Sequence, residues 1–508
     1  MGNSRSKNSK RNIGSGVASC ISTIALGFIL RTIVLYVFNE KYLGLTSVFT
    51  SLVSVLNMAE LGFSTAIVVS MYKPLAEGNT QEVCALLAYY KKICKWIGFF
   101  VLGSGIVISP FIPYLVGGTR VEGMNVIVLY LIYLADVSVS YFLFAYKTAL
   151  LTANQRLDLV KNTYTLVNIL KSAVQIIILI FMRNFYLYIL VTFFATLLSN
   201  FVIFRISVRV FPKFICYGEL GREQKNNIRK HVGGLAINKL GQVARNSFDT
   251  LILSVYFGLS NVAMYNNYFY IFNSVCGIMW AITGAMQASV ADSIVSESVE
   301  KNYQDMKKFE FIFGWIITWC TSCLICLYQP FMTMWAGSEL VLEKLDMLLF
   351  CLYFYFMMMG GIRNIYFDGL GLWWIGRKIA VSEAIANLVL NLVLGRIFGI
   401  TGILFATIIT IFLFNYVGFT NLVFKEYFQR SPKEFYLDRT VYTLVTIIVC
   451  FISKSITEFI VENGILGILF KFVACSIITN GLLLLVYNRG SRFLLSFQFL
   501  KKIILGRN

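Results

Sequence analysis

The sequence predicts an all-α polytopic membrane protein of about fourteen transmembrane helices, in two six-helix lobes plus an extra C-terminal pair. Three observations predict it. First, 58% of the 508 residues are hydrophobic and only 14% are charged, so a water-soluble fold would leave apolar surface with nowhere dry to go. Second, apolar runs recur between short charged patches, each long enough for the roughly 20 residues that a helix needs to cross a hydrocarbon core about 30 Å thick. Barrel strands would instead be about 10 residues long and alternate in polarity. Third, the basic residues fall on one side of the spans so defined.

The spans read as 14–38, 42–70, 93–117, 123–150, 162–182, 185–208, 234–257, 262–288, 309–335, 345–370, 379–397, 400–424, 440–460 and 464–487. With both termini on one side, that side collects Arg5, Lys7, Lys10 and Arg11, Lys73 and Lys91 to Lys95, Arg156 and Lys161, and Arg205 to Lys230. It also collects Lys301 to Lys308, Arg377 and Lys378, Lys425 to Arg439 and Arg489 to Arg507. The opposite loops hold little beyond Lys41, Arg120, Arg183, Lys344 and Arg396. By the positive-inside rule the crowded side is cytoplasmic. The excess of 44 Lys and Arg over 25 Asp and Glu therefore reports topology, and no nucleic-acid partner is expected.

The first apolar run lacks a small-residue cleavage site and continues into the next span, which argues against a cleavable signal peptide. The opening "MGNSRS" fits an acylation pattern, but an acyl chain adds nothing to a protein anchored by many helices. "CTSCLIC" (Cys320, Cys323, Cys326) has cluster-like spacing, yet it lies in an apolar run with no fourth partner nearby, so the thiols read as small buried hydrophobes. No metal or cofactor is expected.

An internal repeat at an offset of about 220 residues divides the chain: "LYVFNEKYLGL" meets "LSVYFGLSNVAMY", and "VSMYKPLAEGNTQEV" meets "SVADSIVSESVEKNY". The resulting organisation is an N-terminal lobe at 1–208, an amphipathic cytoplasmic connector at 209–233, a C-terminal lobe at 234–424, and the last pair with its tail at 425–508. Six spans per repeat give both lobes the same orientation, related by an axis along the membrane normal.

Polar residues inside the spans mark the candidate site. Asn238, Gln242, Arg245 and Asp249 in the seventh span are spaced four, three and four apart and share one helix face. Thr46, Thr50, Ser54, Asn57, Glu60 and Ser64 do the same in the second. An unpaired charge near mid-membrane costs about 2.5–3.5 kcal/mol on insertion-derived scales, so these stripes should face protein or a wet cavity. The repeat carries the second stripe onto Asn266, Tyr270, Ser274, Gly277, Trp280 and Gly284, so corresponding faces of both lobes are polar or aromatic, as a central cleft requires. Trp280 stands where the first repeat has Glu60.

Arg31, Asp136, Lys171, Arg363, Asp368, Lys454 and Lys471 are further charges within spans. Such charges also serve as structural partners, and Arg245 can pair with Asp249 across one helical turn. The cations Arg31, Lys171, Arg245 and Arg363 nonetheless outnumber Glu60 and Asp249 unless Asp136 joins them. A cleft with surplus cations favours an anionic cargo, and the guanidinium fork suits phosphate. The substrate-binding candidates are thus Arg31, Lys171, Arg245, Arg363, Asn238, Gln242, Asn57, Tyr270 and Trp280, with the aromatics placed to stack on sugar rings. Glu60 and Asp249 are the candidates for coupling to a proton or sodium ion.

The stretch "YLGLTSVFTSLVSVLNMAELGFSTAIVVSMYKPLAEGN" (Tyr42 to Asn79) resembles the second span and following loop of bacterial polysaccharide flippases of the O-antigen and capsule type, in the multidrug/oligosaccharidyl-lipid/polysaccharide exporter superfamily. "AELGFSTAI" and "YKPLAEGN" carry the resemblance, and elsewhere over residues 10–490 it is one of span pattern. The resemblance implies a fourteen-helix, two-lobed, V-shaped transporter in the bacterial cytoplasmic membrane. Its cargo would be an undecaprenyl-pyrophosphate-linked glycan, moved by alternating access for capsule, O-antigen or exopolysaccharide synthesis alongside the polymerase and glycosyltransferases of that pathway. A peptidoglycan-precursor flippase shares the diphosphate lipid, whereas a multidrug antiporter of the superfamily should prefer an acidic cleft. A membrane polymerase or ligase would need catalytic residues on a sizeable outer loop, and the outer loops are short. The chain therefore does not read as an enzyme.

Overall fold

The computed structural model describes residues 2–490 apart from 61, 119, 120, 122 and 461–463, together with 493, 494, 496 and 498. The described residues are almost wholly helical. In chain order the helices are α1 (Gly2–Val37), α2 (Glu40–Leu56), α3 (Phe63–Ala76), α4 (Thr80–Ile108), α5 (Ile112–Leu115), α6 (Val126–Phe142), α7 (Ala145–Ala153), α8 (Leu157–Ile177) and α9 (Phe185–Val210). They continue with α10 (Arg222–Ser296), α11 (Val299–Ala336), α12 (Lys344–Met359), α13 (Gly361–Gly369), α14 (Trp373–Thr410), α15 (Phe419–Val423), α16 (Lys433–Glu458) and α17 (Gly464–Tyr487).

Side-chain caps fix several of these starts. Asn39, Asn79, Asn125 and Asn184 accept from backbone N–H groups in the first turns of α2, α4, α6 and α9, and Ser298 does so for α11. The first N–H groups of a helix have no partner within it, and a short polar side chain supplies one.

Among the described residues, eleven helical stretches are long and apolar enough to cross a membrane, and the bent pair α6 and α7 makes twelve. Two of the eleven, at 247–296 and 373–428, run to 50 and 56 residues and so are too long for one crossing. Non-helical backbone at Gly258 interrupts α10, and Gly399 interrupts α14. With eleven or twelve candidate spans among the described residues, the chain is a multi-pass membrane protein.

The chain divides into two compact units, Met1–Asn266 and Asn267–Asn508. In the first, α1 packs on α8, α4 on α6, α9 on both α6 and α8, and α3 on α4 and α7. In the second, α11 is the central helix and touches α12, α16 and α17, while α14 packs on α12. The last two spans are therefore bound into the second unit. Trp315 and Trp319 of α11 donate to Asn480 Oδ1 and Ser476 Oγ of α17 at 2.8 and 3.0 Å, and Thr318 shares a 2.8 Å hydrogen bond with Thr446 of α16.

The second span departs from expectation. A continuous helix over 42–70 is replaced by α2, a tight 3-10 turn at Asn57–Glu60, and α3. Gly62 carries the break with φ 87° and ψ −21°, a left-handed conformation that costs other residues roughly 1–2 kcal/mol. Periodicity cannot show such a break, because the residues on either side of it have ordinary helical composition.

Candidate functional site

A tight turn at Asn57–Glu60 interrupts the α-helical geometry of the second span and gathers polar side chains around it. Glu60 stands on this turn and is half-buried. Tyr90 of α4 donates to its Oε1 at 3.3 Å, and Tyr141 of α6 is a second hydrogen-bonding neighbour. Tyr141 also donates to Asn57 Oδ1 at 3.2 Å, so one hydroxyl ties both ends of the turn together. The ammonium of Lys239 on α10 is an electrostatic neighbour of Glu60, and its Nζ donates to Thr65 Oγ1 at 3.4 Å. The result is a carboxylate held by phenols with one cation nearby, an arrangement that can take up or release a proton or small cation.

The rest of the stripe lies as its spacing predicts along α2. Leu43, Leu45, Val48, Phe49, Leu52, Val53 and Leu56 are buried, while Thr46, Thr50, Ser54 and Asn57 are not. Beyond the break Ser64 is half-buried, and it hydrogen-bonds Tyr90.

On the seventh-span face, the side chains of Asn238 and Gln242 lie outside the described residues. Arg245 is 5% exposed and Asp249 only 1%. Asp249 accepts from Tyr265 at 3.1 Å. Arg31 lies among the helices near Tyr188. Lys171 has Asp136 as its electrostatic neighbour, and Thr196 hydrogen-bonds the same carboxylate. Asp136 therefore does join the balance, and the cation surplus is smaller than the four cations alone imply. Within the first unit, Arg31, Lys171, Lys239 and Arg245 lie on the same set of helices as Glu60, Asp136 and Asp249.

Arg363 sits elsewhere. It is fully buried in the second unit, with Nη2 donating to Asn415 Oδ1 at 3.0 Å and Glu310 and Glu383 as charged neighbours. Asn415 belongs to a π-helical stretch, Ile411–Gly418, whose extra residue per turn redirects side chains and recurs at functional positions. Arg439 of α16 pairs with Glu310 at 3.1 Å, both almost fully buried. Arg363 is thus part of a buried ion network within the second unit. Tyr270 and Trp280 also fall in this unit. Tyr270 is half-buried, whereas Trp280 is 41% exposed and lines a cavity of about 230 Å³ with Thr283, Gln287, Asn364 and Asp368. Trp373 donates to Asp368 Oδ1 at 2.9 Å.

Sequence reasoning missed Tyr90, Tyr141 and Lys239. The two tyrosines sit in runs where an aromatic reads as core or interfacial, and Lys239 lies next to the seventh-span stripe without being in phase with it. Glu310 and Arg439 were missed because each lies at a predicted span end, where a charge calls for no explanation.

Neither a protein-family model nor a curated protein matches the sequence. Solved structures do. A lipid II flippase, MurJ, in an inward-closed conformation superposes with a TM-score of 0.65 and 15% identity, covering 94% of this chain and 99% of its own. An inward-facing multidrug resistance transporter of the MATE family in the MOP superfamily gives 0.60 and 15%, covering 78% of this chain and 93% of its own. A MOP-superfamily transporter from Pyrococcus furiosus gives 0.56 and 14%, covering 81% and 94%. These neighbours are transporters and flippases, and at such identities the likeness is one of architecture: the chain shares the polytopic helical fold of these structures.

Proposed function

We propose that this protein is a flippase that carries an undecaprenyl-pyrophosphate-linked oligosaccharide repeat unit across the bacterial cytoplasmic membrane by alternating access. Both termini would be cytoplasmic, and the pathway would be capsule, O-antigen or exopolysaccharide synthesis. The observation that carries the reading is the turn in the second span, which sets Glu60, Asn57, Tyr90, Tyr141 and Lys239 together in a MOP-type fold. Only the anionic, hydrophilic head of such a cargo needs a polar route, while its polyprenyl tail stays in lipid. Arg245 and Arg31 would receive the diphosphate, Lys171 would assist as a point charge, and Asn238, Gln242, Asn57, Tyr270 and Trp280 would contact the glycan. Glu60 and Asp249 would couple the cycle to a proton or sodium gradient. Arg363 would act indirectly, by holding the helices of the second unit in register. Because Arg245 is enclosed in this conformation, contact with cargo requires the opening that alternating access supplies.

A second reading, a peptidoglycan-precursor flippase, is favoured by the fit to the lipid II flippase over nearly the whole of both chains. A cation-coupled multidrug antiporter is less well supported, since cations outnumber carboxylates in the helices of the first unit.

The test is head-group accessibility in proteoliposomes carrying a defined undecaprenyl-diphosphate oligosaccharide, read with an impermeant periodate or lectin probe. Protein-dependent flipping is expected, and Arg245→Ala should abolish it while leaving insertion intact. Flipping of a peptidoglycan precursor but of no other glycan would select the second reading, and normal rates in Arg245→Ala would remove the diphosphate contact.

A further inference from the structure

The segment that follows α9 covers a buried charge that has no counter-ion among the described residues. Lys147, in α7 at the basic-rich end of the first unit, is 4% exposed. Its Nζ donates to the carbonyl oxygen of Phe214 at 3.1 Å and lies 5.8 Å from the centroid of the Tyr146 ring. Lys91 Nζ lies 5.6 Å from the same centroid, so two ammonium groups share one ring despite their mutual repulsion. The other ionisable neighbours of Lys147 are the thiols of Cys84 and Cys216. Cys84 donates to the Lys213 carbonyl at 3.8 Å. Burial raises Cys216 above the ordinary thiol value against the pull of Lys147 and Lys91. Glu82, two residues before Cys84, is engaged with Gln224 and Asn79 at 2.7 and 3.1 Å.

A buried ammonium costs several kcal/mol unless a counter-charge and full hydrogen bonding offset it. It has three donors, and here one neutral carbonyl and a ring face answer them. A phosphate oxygen would do better on both counts, and a second ammonium beside the first suits a group bearing more than one negative charge.

We infer that Lys147, Lys91 and Tyr146 form a phosphate subsite at the basic-rich end of the first unit. The segment 211–221 covers it, and the Phe214 carbonyl stands where a phosphate oxygen would bind. The ligand class is a phosphate monoester or diphosphate, presented by a lipid head group or free in solution. Only the step from that class to a cargo lipid waiting for transport rests on the proposed function.

Half-buried Cys216 is the natural reporter, because seating a phosphate requires the covering segment to lift. The full-length protein in zwitterionic nanodiscs is labelled with a maleimide, and modification of Cys216 is followed by mass spectrometry at constant ionic strength. Inorganic pyrophosphate, or nanodiscs doped with phosphatidic acid, should accelerate labelling several-fold and saturably. A response to pyrophosphate assigns the site to a soluble phosphate, and a response to phosphatidic acid alone assigns it to a lipid head. Lys147→Gln keeps a donor for the Phe214 carbonyl but should lose the response, Lys147→Arg should keep it, and Lys91→Gln should weaken it without disturbing the buried position. Absence of a saturable response to either probe, or a response in Lys147→Gln and Lys91→Gln as strong as in the wild type, overturns the inference. No transport is measured, so its failure and that of the flippase reading are separable.

Discussion

Glu60 shows how one side chain in a membrane takes its meaning from the groups that hold it. A carboxylate facing lipid would be a defect, whereas one accepting from Tyr90, with Tyr141 and Lys239 beside it, has partners for its charge, and the proposed function makes it the coupling group. Replacing Glu60 with Gln keeps the shape and removes the charge. Transport in vesicles with imposed proton or sodium gradients should then lose its gradient dependence, and indifference of the wild-type rate to both gradients would remove the coupling role. Tyr90→Phe deletes one of the hydrogen bonds to the carboxylate, and bonds to charged groups contribute about 1.5–3 kcal/mol. The variant should fold, with the gradient dependence of transport displaced in pH.

At the scale of the element, the second span is two helices and a turn, and Gly62 decides it. An alanine there must hold a left-handed backbone at a cost of roughly 1–2 kcal/mol, or straighten the span and displace Glu60 from its phenols. Gly62→Ala should lower the thermal midpoint and slow transport together, and an unchanged midpoint would show that the turn tolerates a side chain. The same span passes close to α10: a Cβ on Gly44 would run into the carbonyl oxygen of Leu259. In the second unit, the helices are tied by the Glu310, Arg363 and Arg439 network. Removing one partner of a buried pair costs about 3–5 kcal/mol because it strands the other charge. Glu310→Gln strands the Arg439 guanidinium, so it should melt well below a variant in which Glu310 and Arg439 are both replaced by apolar residues. Equal melting temperatures would mean that the network contributes little.

For the whole molecule, the proposed function requires that the polar faces be reached by water. In a cysteine-free background, single cysteines at positions 46, 50, 54, 57 and 64 should react with a water-soluble maleimide, while those at 45, 48, 49 and 52 should not. Labelling that ignores this division would mean that the polar row meets neither a wet passage nor a cargo.

Composition and charge segregation were enough to determine a polytopic helical membrane protein, because hydrophobic length and loop charge are local quantities that each span carries with it. Periodicity also found the unburied face of α2, since the helix phase up to Leu56 is regular. It failed where the backbone changes phase, at Asn57–Glu60 and Gly62, and at Ile411–Gly418. Tertiary structure alone decided which charges meet. Lys171 meets Asp136, Arg363 meets Glu310 and Glu383, and Lys147 meets the segment after α9. The energy of a charge in a low-dielectric interior depends on the partners that arrive from other helices, and no single helix face records them.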